Sequence, residues 1–371
     1  MAASTSTETP QELIVGRPDD WHLHLRDGAA LKAAGRYMPG IVRRAIIMPN
    51  LVPPVVNAAD ASAYKARIAE AFGPDSDFEP LMTLYLTDKT SPEDIKEAAA
   101  AGVVACKLYP AGATTNSDNG VTEVKALGPV LAAMAEVGMV LCIHGEVTDS
   151  TVDFFERETV FLERVAATLV ESHPDLRIVM EHITTAAAVD FVTAAGPNVA
   201  ATITPQHLLY NRNQLFVGGL KPHYYCLPIL KKESDRQALL GAVASGSAKF
   251  FMGTDSAPHA VADKESACGC AGCFSAFAAL ELYATAFEAA GCLDKLSAFV
   301  SQHGPAFYRL PPNTGTVKLT RQAWTVPDSF PFADKAGADT VVVPLMAGQQ
   351  LQWKATLQPD TAADSAATTA D

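Results

Sequence analysis

Residues 81–110 have the sequence LMTLYLTDKTSPEDIKEAAAAGVVACKLYP, and this stretch decides the fold. Two short apolar segments, Leu81–Leu86 and Val103–Leu108, have the length and composition of buried strands. Ser91 is a predicted N-cap, followed by proline at the first helical position and acidic residues in the first turn. A helix is therefore predicted over Pro92–Ala101. A strand, a helix and a second strand in succession predict two parallel strands joined by a helix.

The same alternation extends along the chain in both directions. The other predicted strands are Leu13–Val15 leading into Asp20–Leu25, Ala45–Met48, Val140–Ile143, Arg177–Glu181, Val199–Ile203 and Phe250–Gly253. Further helical patterns cover Ala58–Ala71, Val124–Val137, Glu156–Glu171, Thr185–Ala195 and Asp235–Ala244. Eight strands alternating with helices predict an α/β fold, a (β/α)8 TIM-type barrel. We expect one domain, residues 12–355, between two disordered tails, 1–11 and 356–371.

The composition excludes several classes of protein. The 371 residues include 41 acidic and 28 basic side chains, for a formal net charge of −13. A surface of this charge repels nucleic acid. No apolar run reaches the roughly 18 residues of a membrane helix, and the N-terminus lacks the apolar core of a secretory signal. We therefore expect a cytoplasmic protein with no membrane partner, in which the seven cysteines are reduced.

The first chemically informative residues are His22 and His24, which end the first predicted strand. Side chains at positions i and i+2 of a strand point to the same face, so the two imidazoles converge. Two converging imidazoles suit Zn²⁺. An isolated pair of this kind is more often two ordinary histidines, so the interpretation depends on the other strand ends.

Four other predicted strands end at Lys107, His144, His182 and Asp255. In a barrel the C-terminal ends of all strands converge at one mouth, where active sites lie. Taken singly, each residue has an ordinary explanation as a solvated amine, a hydrogen-bonded imidazole or a helix cap. Together the five strand ends predict a metal site at the C-terminal mouth. An ammonium cannot bind a cation, so Lys107 would be either deprotonated or modified to a carbamate.

Three long connections are expected to be functional: the one after Tyr109, the one from about Pro205 to Pro228, and the one from Asp255 to Cys273. The last contains the motif Cys268-Gly269-Cys270-Ala271-Gly272-Cys273. Three thiols without a fourth ligand at zinc-finger spacing favour a Gly-rich loop with reduced thiols over a metal knot. The loop histidines His207, His223 and His303 are more readily explained as loop residues than as substrate contacts.

These residues resemble a known family, the shorter, homodimeric bacterial dihydroorotases of the amidohydrolase superfamily. The motifs that carry the resemblance lie at residues 17–27, 48–51, 107–110, 113–116, 144–147, 181–185, 202–207, 225–228, 253–259 and 268–273. They occur in order over roughly residues 13–310. Gly112 is a departure, because relatives often have Asn at that position.

The resemblance implies the reversible ring closure of N-carbamoyl-L-aspartate to L-4,5-dihydroorotate and water in pyrimidine biosynthesis. It also implies a homodimer with two zinc ions per chain. One zinc would be held by His22, His24, Asp255 and carboxylated Lys107, and the other by carboxylated Lys107, His144 and His182. Asp255 would also carry the proton that is exchanged during the reaction.

The same resemblance implies the substrate contacts. Arg26, Asn50 and His259 would bind the α-carboxylate of the substrate, with His144 close by. Leu227 and Ala271 would contact the pyrimidine ring through backbone groups. Thr114 and Thr115 would lie on a lid loop that closes over the substrate.

Two alternatives remain at the level of the sequence. A hydantoinase or allantoinase could use the same metal ligands, but a carboxylate-binding set would be idle for an uncharged ring. A non-catalytic barrel that serves as a binding scaffold is the other alternative. Such a protein is expected to have lost ligands, and here none of the predicted ligands is missing.

Overall fold

A parallel barrel forms the centre of this computed structural model, which describes residues 11–38 and 40–359. Its eight strands are β2 (Asp19–Leu23), β3 (Arg44–Ile47), β4 (Glu79–Leu86), β5 (Ala105–Leu108), β6 (Val140–Ile143), β7 (Ile178–Met180), β8 (Val199–Ile203) and β9 (Phe250–Met252). Each strand pairs in parallel with the next in sequence. A parallel bridge between Leu23 and Ser256 joins the two ends of the sheet. The predicted α/β barrel is therefore confirmed.

The helices surround this barrel. They are α1 (Gly28–Arg36), α2 (Ala58–Phe72), α3 (Pro92–Ala100), α4 (Gly128–Val137), α5 (Arg157–Phe161), α6 (Ala167–Ser172), α7 (Ala186–Ala194), α8 (Pro205–Leu209), α9 (Glu233–Ala244), α10 (Val261–Lys264), α11 (Ala279–Ala289), α12 (Leu296–Ser301) and α13 (His303–Tyr308). A π-helical turn, Leu162–Ala166, joins α5 to α6. Ser91 caps α3, as predicted, and the structure shows in addition a reciprocal capping box with Asp94. In the part of the chain that the structure describes, no helix is both long and apolar enough to span a membrane.

Apolar side chains fill the lower part of the barrel interior. Ala105, Val140, Cys142 and Ala200 belong to one buried cluster together with Trp21, whose indole stacks on Tyr308 at a centroid distance of 4.3 Å. Because side chains alternate along a strand, each series that points inward continues toward the C-terminal mouth. Polar residues then replace apolar ones at the upper positions.

A second, smaller sheet lies outside the barrel. The strands β1 (Glu12–Gly16), β10 (Thr316–Thr325) and β13 (Gln350–Leu357) are antiparallel, and β11 (Phe330–Ala333) pairs with β12 (Asp339–Val342) in a separate ribbon. These C-terminal strands were not predicted from the sequence.

The prediction for the first strand was wrong in one respect. Leu13–Val15 does not lead into the barrel strand, because it lies in β1 and pairs with β10 in the small sheet. Pro18, which has no amide donor, separates β1 from β2. The barrel strand itself ends at Leu23, so that His24 lies just beyond it.

The predicted C-terminal boundary at residue 355 also needs correction. β13 continues to Leu357, so two residues assigned to the tail belong to the sheet. Gln11, assigned to the N-terminal tail, accepts a backbone hydrogen bond from Arg321. The remaining predicted tail residues, 1–10 and 360–371, lie outside the described residues.

Candidate active site

Three of the predicted metal ligands meet at the mouth of the barrel. His22 and His24 present their Nε2 atoms 3.3 Å apart. Oδ1 of Asp255 lies 3.4 Å from the first of these nitrogens and 3.1 Å from the second. One nitrogen or oxygen from each residue can therefore face a common point, and all three side chains are buried. This is a donor set typical of Zn²⁺.

Lys107 lies on β5, two residues after Ala105 of the buried cluster in the barrel interior, so strand alternation turns its side chain inward as well. Its side chain is fully buried, and its Nζ has no hydrogen-bond partner among the described residues. Burial lowers the pKa of this amine. Burial of a polar atom without a hydrogen-bond partner costs folding free energy. The position therefore suits a lysine whose amine is covalently modified or contacts a bound group.

The two remaining predicted ligands, His144 and His182, belong to the same group of neighbouring rings as His22. The His182 ring lies 4.9 Å, centroid to centroid, from the rings of both His22 and His144. Nδ1 of His182 is buried and has no hydrogen-bond partner in the described part of the chain. Nε2 of His144 lies 2.7 Å from Oε2 of Glu146, so Nδ1 is its remaining nitrogen.

His182 reaches the interior through an unusual backbone conformation. The preceding residue, Glu181, already points inward and contacts His22. Two consecutive residues of a regular strand cannot face the same side. His182 has a φ of 41°, outside the extended region, and this turn directs both side chains into the barrel. Arg26 and Asp255 also have positive φ values, of 63° and 46°. Such outliers are concentrated at functional sites.

The electrostatics of the group favour neutral imidazoles beside an ionised carboxylate. Burial, followed by the nearby amine of Lys107, holds the pKa of His22 and of His182 well below the ordinary value. Burial alone would raise the pKa of Asp255, but His22 and His24 outweigh it, so the pKa lies below its ordinary value. Neutral imidazole and carboxylate are the forms in which these residues bind metals.

All the predicted site residues except Lys107 and His259 line one cavity above this group. The cavity has a volume of about 20 Å³, which is room for about one water molecule. A wider cavity of about 490 Å³ adjoins it and includes His259. Arg26, Asn50 and Thr115 line both, so they form the partition between the inner and outer cavities.

The predicted lid loop forms part of this partition. The side-chain amide of Asn50 donates to the carbonyl of Thr115 over 3.1 Å. The side chain of Asn116 donates in return to the carbonyl of Asn50 over 3.0 Å. The phenol of Tyr85 donates to the carbonyl of Asn116. These contacts hold the loop against Asn50 and Tyr85 at the mouth of the barrel.

The predicted carboxylate-binding residues are brought together at the same partition. The guanidinium of Arg26 donates from Nε to the carbonyl of Pro258 over 2.9 Å, and a second nitrogen lies 2.8 Å from Nε2 of His259. Asn50 and Leu227 line the inner cavity, as does Ala271, whose carbonyl lies 3.0 Å from Nε2 of His259.

Comparison with known proteins agrees with this geometry. The family model described as "Amidohydrolase family" matches residues 14–351. A dihydroorotase from Shewanella sp. (strain ANA-3) is 58% identical over 343 residues, which cover 92% of this chain and 98% of that protein. The chain belongs to the amidohydrolase family, among the dihydroorotases.

Solved structures place this amidohydrolase among similar folds. A dihydroorotase from Saccharomyces cerevisiae in complex with 5-fluoroorotic acid has a TM-score of 0.84 at 32% identity, over 95% of this chain and 100% of that one. An L-hydantoinase from Arthrobacter aurescens has a TM-score of 0.77 at 14% identity, over 93% of this chain and 84% of that one. At this lower identity the second likeness concerns the fold alone.

The cysteine-rich loop of this amidohydrolase contains no close cluster of thiols with other ligands. The Sγ atoms of Cys268 and Cys270 are 4.0 Å apart, while Cys273 points toward the carbonyl of His223. Within residues 11–38 and 40–359, the group of three or more possible metal ligands is the one at Asp255. The loop instead contributes Ala271 and Gly272 to the wall of the inner cavity.

His207 does not line either cavity at the mouth. It is buried, with Nδ1 accepting a hydrogen bond from the hydroxyl of Thr204 at 2.7 Å and Nε2 donating to the carbonyl of Pro228 at 2.9 Å. Both ring nitrogens are satisfied within the fold, so the residue holds its loop in place.

Two carboxylates that support the ligands were not predicted from the sequence. Glu181 accepts from Nδ1 of His22 and from the hydroxyl of Thr202. Glu146 contacts His144. Both glutamates belong to motifs quoted for the resemblance, and each lies within two residues of a predicted ligand. Carboxylates that orient metal-binding imidazoles are typical of such sites.

Proposed function

We infer that this amidohydrolase catalyses the reversible conversion of N-carbamoyl-L-aspartate to L-4,5-dihydroorotate and water. The observation that carries the inference is the position of Arg26 in the wall of the cavity that contains His22, His24 and Asp255. A guanidinium beside a metal-type ligand group suits a cyclic amide that bears a carboxylate. The 58% identity to a dihydroorotase over most of the chain supports the same activity.

The residues fit a pair of zinc ions. His22, His24 and Asp255 would hold one ion and His144 and His182 the other, with carboxylated Lys107 bound to both. The fully buried Nζ of Lys107 and Nδ1 of His182 have no hydrogen-bond partners among the described residues. This is expected of an amine that carries a carbamate and of an imidazole nitrogen that is left free for an ion. When bound, two zinc ions polarise the substrate carbonyl and lower the pKa of water.

Asp255 is the proton carrier in this proposal. In the hydrolytic direction, water adds to the ring amide carbon and the bond from that carbon to the ring nitrogen breaks. The carboxylate of Asp255 takes the proton of the water and gives it to the departing nitrogen. In the synthetic direction it takes the proton from that nitrogen. Its lowered pKa supplies the ionised form that accepts the proton.

The substrate is held by its carboxylate and by the loop backbones. Arg26, Asn50 and His259 would bind the α-carboxylate, because they meet at the partition between the two cavities. Backbone groups of Leu227 and Ala271 would contact the ring. Thr114 and Thr115 would close over the substrate and exclude bulk water.

The competing activity is hydrolysis of an uncharged ring, as in a hydantoinase. The decisive experiment follows the loss of ultraviolet absorbance as dihydroorotate opens, with hydantoin and allantoin as parallel substrates. We expect activity on dihydroorotate, and a large rise in KM for dihydroorotate in an Arg26→Met variant. Preferential turnover of hydantoin or allantoin, unaffected by Arg26→Met, would favour the competing activity. A metal-loaded protein that acts on none of the three would favour a binding scaffold.

Three further properties are proposed, the dimer from the resemblance to bacterial dihydroorotases and the other two from the composition of the sequence. We propose that the protein is a cytoplasmic homodimer, and that its surface does not bind nucleic acid. The net charge of −13 supports the last point. Sedimentation equilibrium of the full chain tests the dimer, for which a mass of one chain at working concentrations is the contrary result.

A further inference from the structure

We propose that Lys264 is a positioning residue that fixes the two loops forming one wall of the substrate cavity, a role that rests on the proposed function. Lys264 is the last residue of α10 and is 3% exposed. Its ammonium donates to the carbonyls of Tyr225, Cys270 and Gly272 over 2.8, 2.7 and 2.8 Å. A single side chain thus joins two segments that lie more than forty residues apart in the sequence.

Each of the two segments contributes to the wall of the inner cavity. Tyr225 lies two residues before Leu227, and Cys270 and Gly272 flank Ala271. Leu227, Ala271 and Gly272 line the cavity above the metal-ligand group. The three carbonyls that Lys264 binds are therefore adjacent to the backbone that faces the substrate.

The packing around Gly272 shows how closely this wall is fitted. Its φ is 147°, and a Cβ built at this position would lie 2.5 Å from the carbonyl oxygen of Ala257. Its amide donates to the carbonyl of Tyr225 over 3.0 Å. The peptide therefore has little freedom to shift unless the contacts that hold it are lost.

Lysine suits this position because a compact ammonium has three donors and can serve three carbonyls at once. A neutral side chain of similar length would leave the three carbonyls without this donor in a buried environment. We expect the peptides at Cys270 and Gly272 to reorient toward other donors, and the wall to lose its fit to the ring. The wall contacts the substrate ring both before and during the reaction. Loss of this contact should therefore change KM more than kcat.

The chain offers a matched control in Lys249. Its ammonium also donates to several carbonyls, including those of Val192, Ala195 and Gly196 at 2.9, 2.7 and 2.8 Å. Lys249 immediately precedes β9, at the end of the barrel opposite the mouth. Replacement of Lys249 removes a similar set of hydrogen bonds without touching the substrate wall.

The experiment compares Lys264→Met with Lys249→Met in the metal-loaded full chain. We expect both to lower Tm and to retain the metal content of the parent. KM for dihydroorotate should rise at least about ten-fold in Lys264→Met, with kcat within about three-fold, while Lys249→Met keeps both constants. Equal KM values in the two variants, or a loss of kcat at unchanged KM, would overturn the proposal. If Lys264→Met does not fold, Lys264→Gln, which keeps one donor group, replaces it in the same comparison.

A second measurement needs no substrate. The buried thiol of Cys273 follows Gly272 directly, and the rate at which iodoacetamide alkylates it reports local opening of the loop. We expect alkylation to be at least about ten-fold faster in Lys264→Met and unchanged in Lys249→Met. Unchanged alkylation in both variants contradicts the positioning role. A parent protein that does not open dihydroorotate would instead disprove the proposed function, while this measurement still tests the role of Lys264 in the loop.

Discussion

The Nδ1 atom of His22 donates a hydrogen bond to Oε2 of Glu181 over 2.9 Å. The same oxygen accepts from the hydroxyl of Thr202, which in turn accepts from the backbone amide of His182. One buried carboxylate therefore sets the ring orientation of His22 and is connected to the backbone of His182. Nε2 of His22 is left to face Asp255.

Replacement of this carboxylate should weaken metal binding. In Glu181→Gln the side chain keeps its size but loses its negative charge. That charge favours the Nδ1–H form of His22 and makes Nε2 of His22 a better metal ligand. We expect metal affinity to fall about 10- to 100-fold. Competition with a chelator of known affinity measures this. Glu281→Gln is the matched control, because Glu281 is a buried glutamate that binds the amide of Ala355 away from the site. Equal metal affinity in both variants would contradict the role of Glu181.

Lys107 is expected to be required for metal binding and for activity. Lys107→Ala removes the group that would bind both ions, so we expect metal content and turnover to be lost together. Elemental analysis gives zinc per chain, and the control is Lys249→Ala, because the ammonium of Lys249 donates to backbone carbonyls at the end of the barrel opposite the mouth. A fully active Lys107→Ala protein with two zinc ions per chain is the outcome that rules out this role.

The lid prediction concerns Thr114 and Thr115, which line the inner cavity. Changing Thr114 to Ala and Thr115 to Val removes two hydroxyl donors but keeps the backbone contact to Asn50. We expect turnover to fall by roughly 10²-fold while metal content stays intact. Thr122→Val is the control, because Thr122 is an exposed residue that binds Asp88. Unchanged kinetics in both reaction directions would show that the threonines are only part of a surface turn.

The pH dependence of stability should report the buried His207. Burial lowers the pKa of this imidazole to about 4, against an ordinary value of 6.5. Between these two values the unfolded chain binds a proton that the folded protein does not bind, so stability falls as pH decreases from 6.5 to 4. The contribution is about 3.5 kcal/mol at most, over about 2.5 pH units at about 1.4 kcal/mol per pH unit.

Unfolding by urea at a series of pH values tests this in parent and His207→Gln proteins. Glutamine can donate to Pro228 and accept from Thr204, but it does not titrate. We expect the variant to be less stable above pH 6.5 and to lose less stability between pH 6.5 and 4. Parallel stability curves for the two proteins over this interval would be inconsistent with a buried neutral imidazole at His207.

The local pattern of the sequence was sufficient to predict the barrel and the residues at the ends of its strands. Strand and helix periodicities depend on neighbours within a few residues, and all eight barrel strands were found at or near their observed positions. Because parallel strands of a barrel end at one mouth, placing Lys107 or His144 at a strand end was enough to predict that they meet.

The strand pairing of the small sheet depends on the tertiary structure. β1 pairs with β10, so that Val15 lies opposite Val317, about three hundred residues away in the sequence. Nothing in the local pattern of Leu13–Val15 distinguishes a strand of this sheet from the beginning of the barrel strand. Only the available partner decides between them, because a strand is stabilised by the chain that supplies its hydrogen bonds.

The supporting residues of the site depended on the tertiary structure for the same reason. The sequence determined which residue types stand at the strand ends, and hence that the protein carries a metal-type site in an α/β barrel. Strand alternation alone would have turned Glu181 and His182 to opposite sides, and the positive φ of His182 places both inside. Lys264 has no local signal, because its three partners lie on loops that meet only when the barrel has closed.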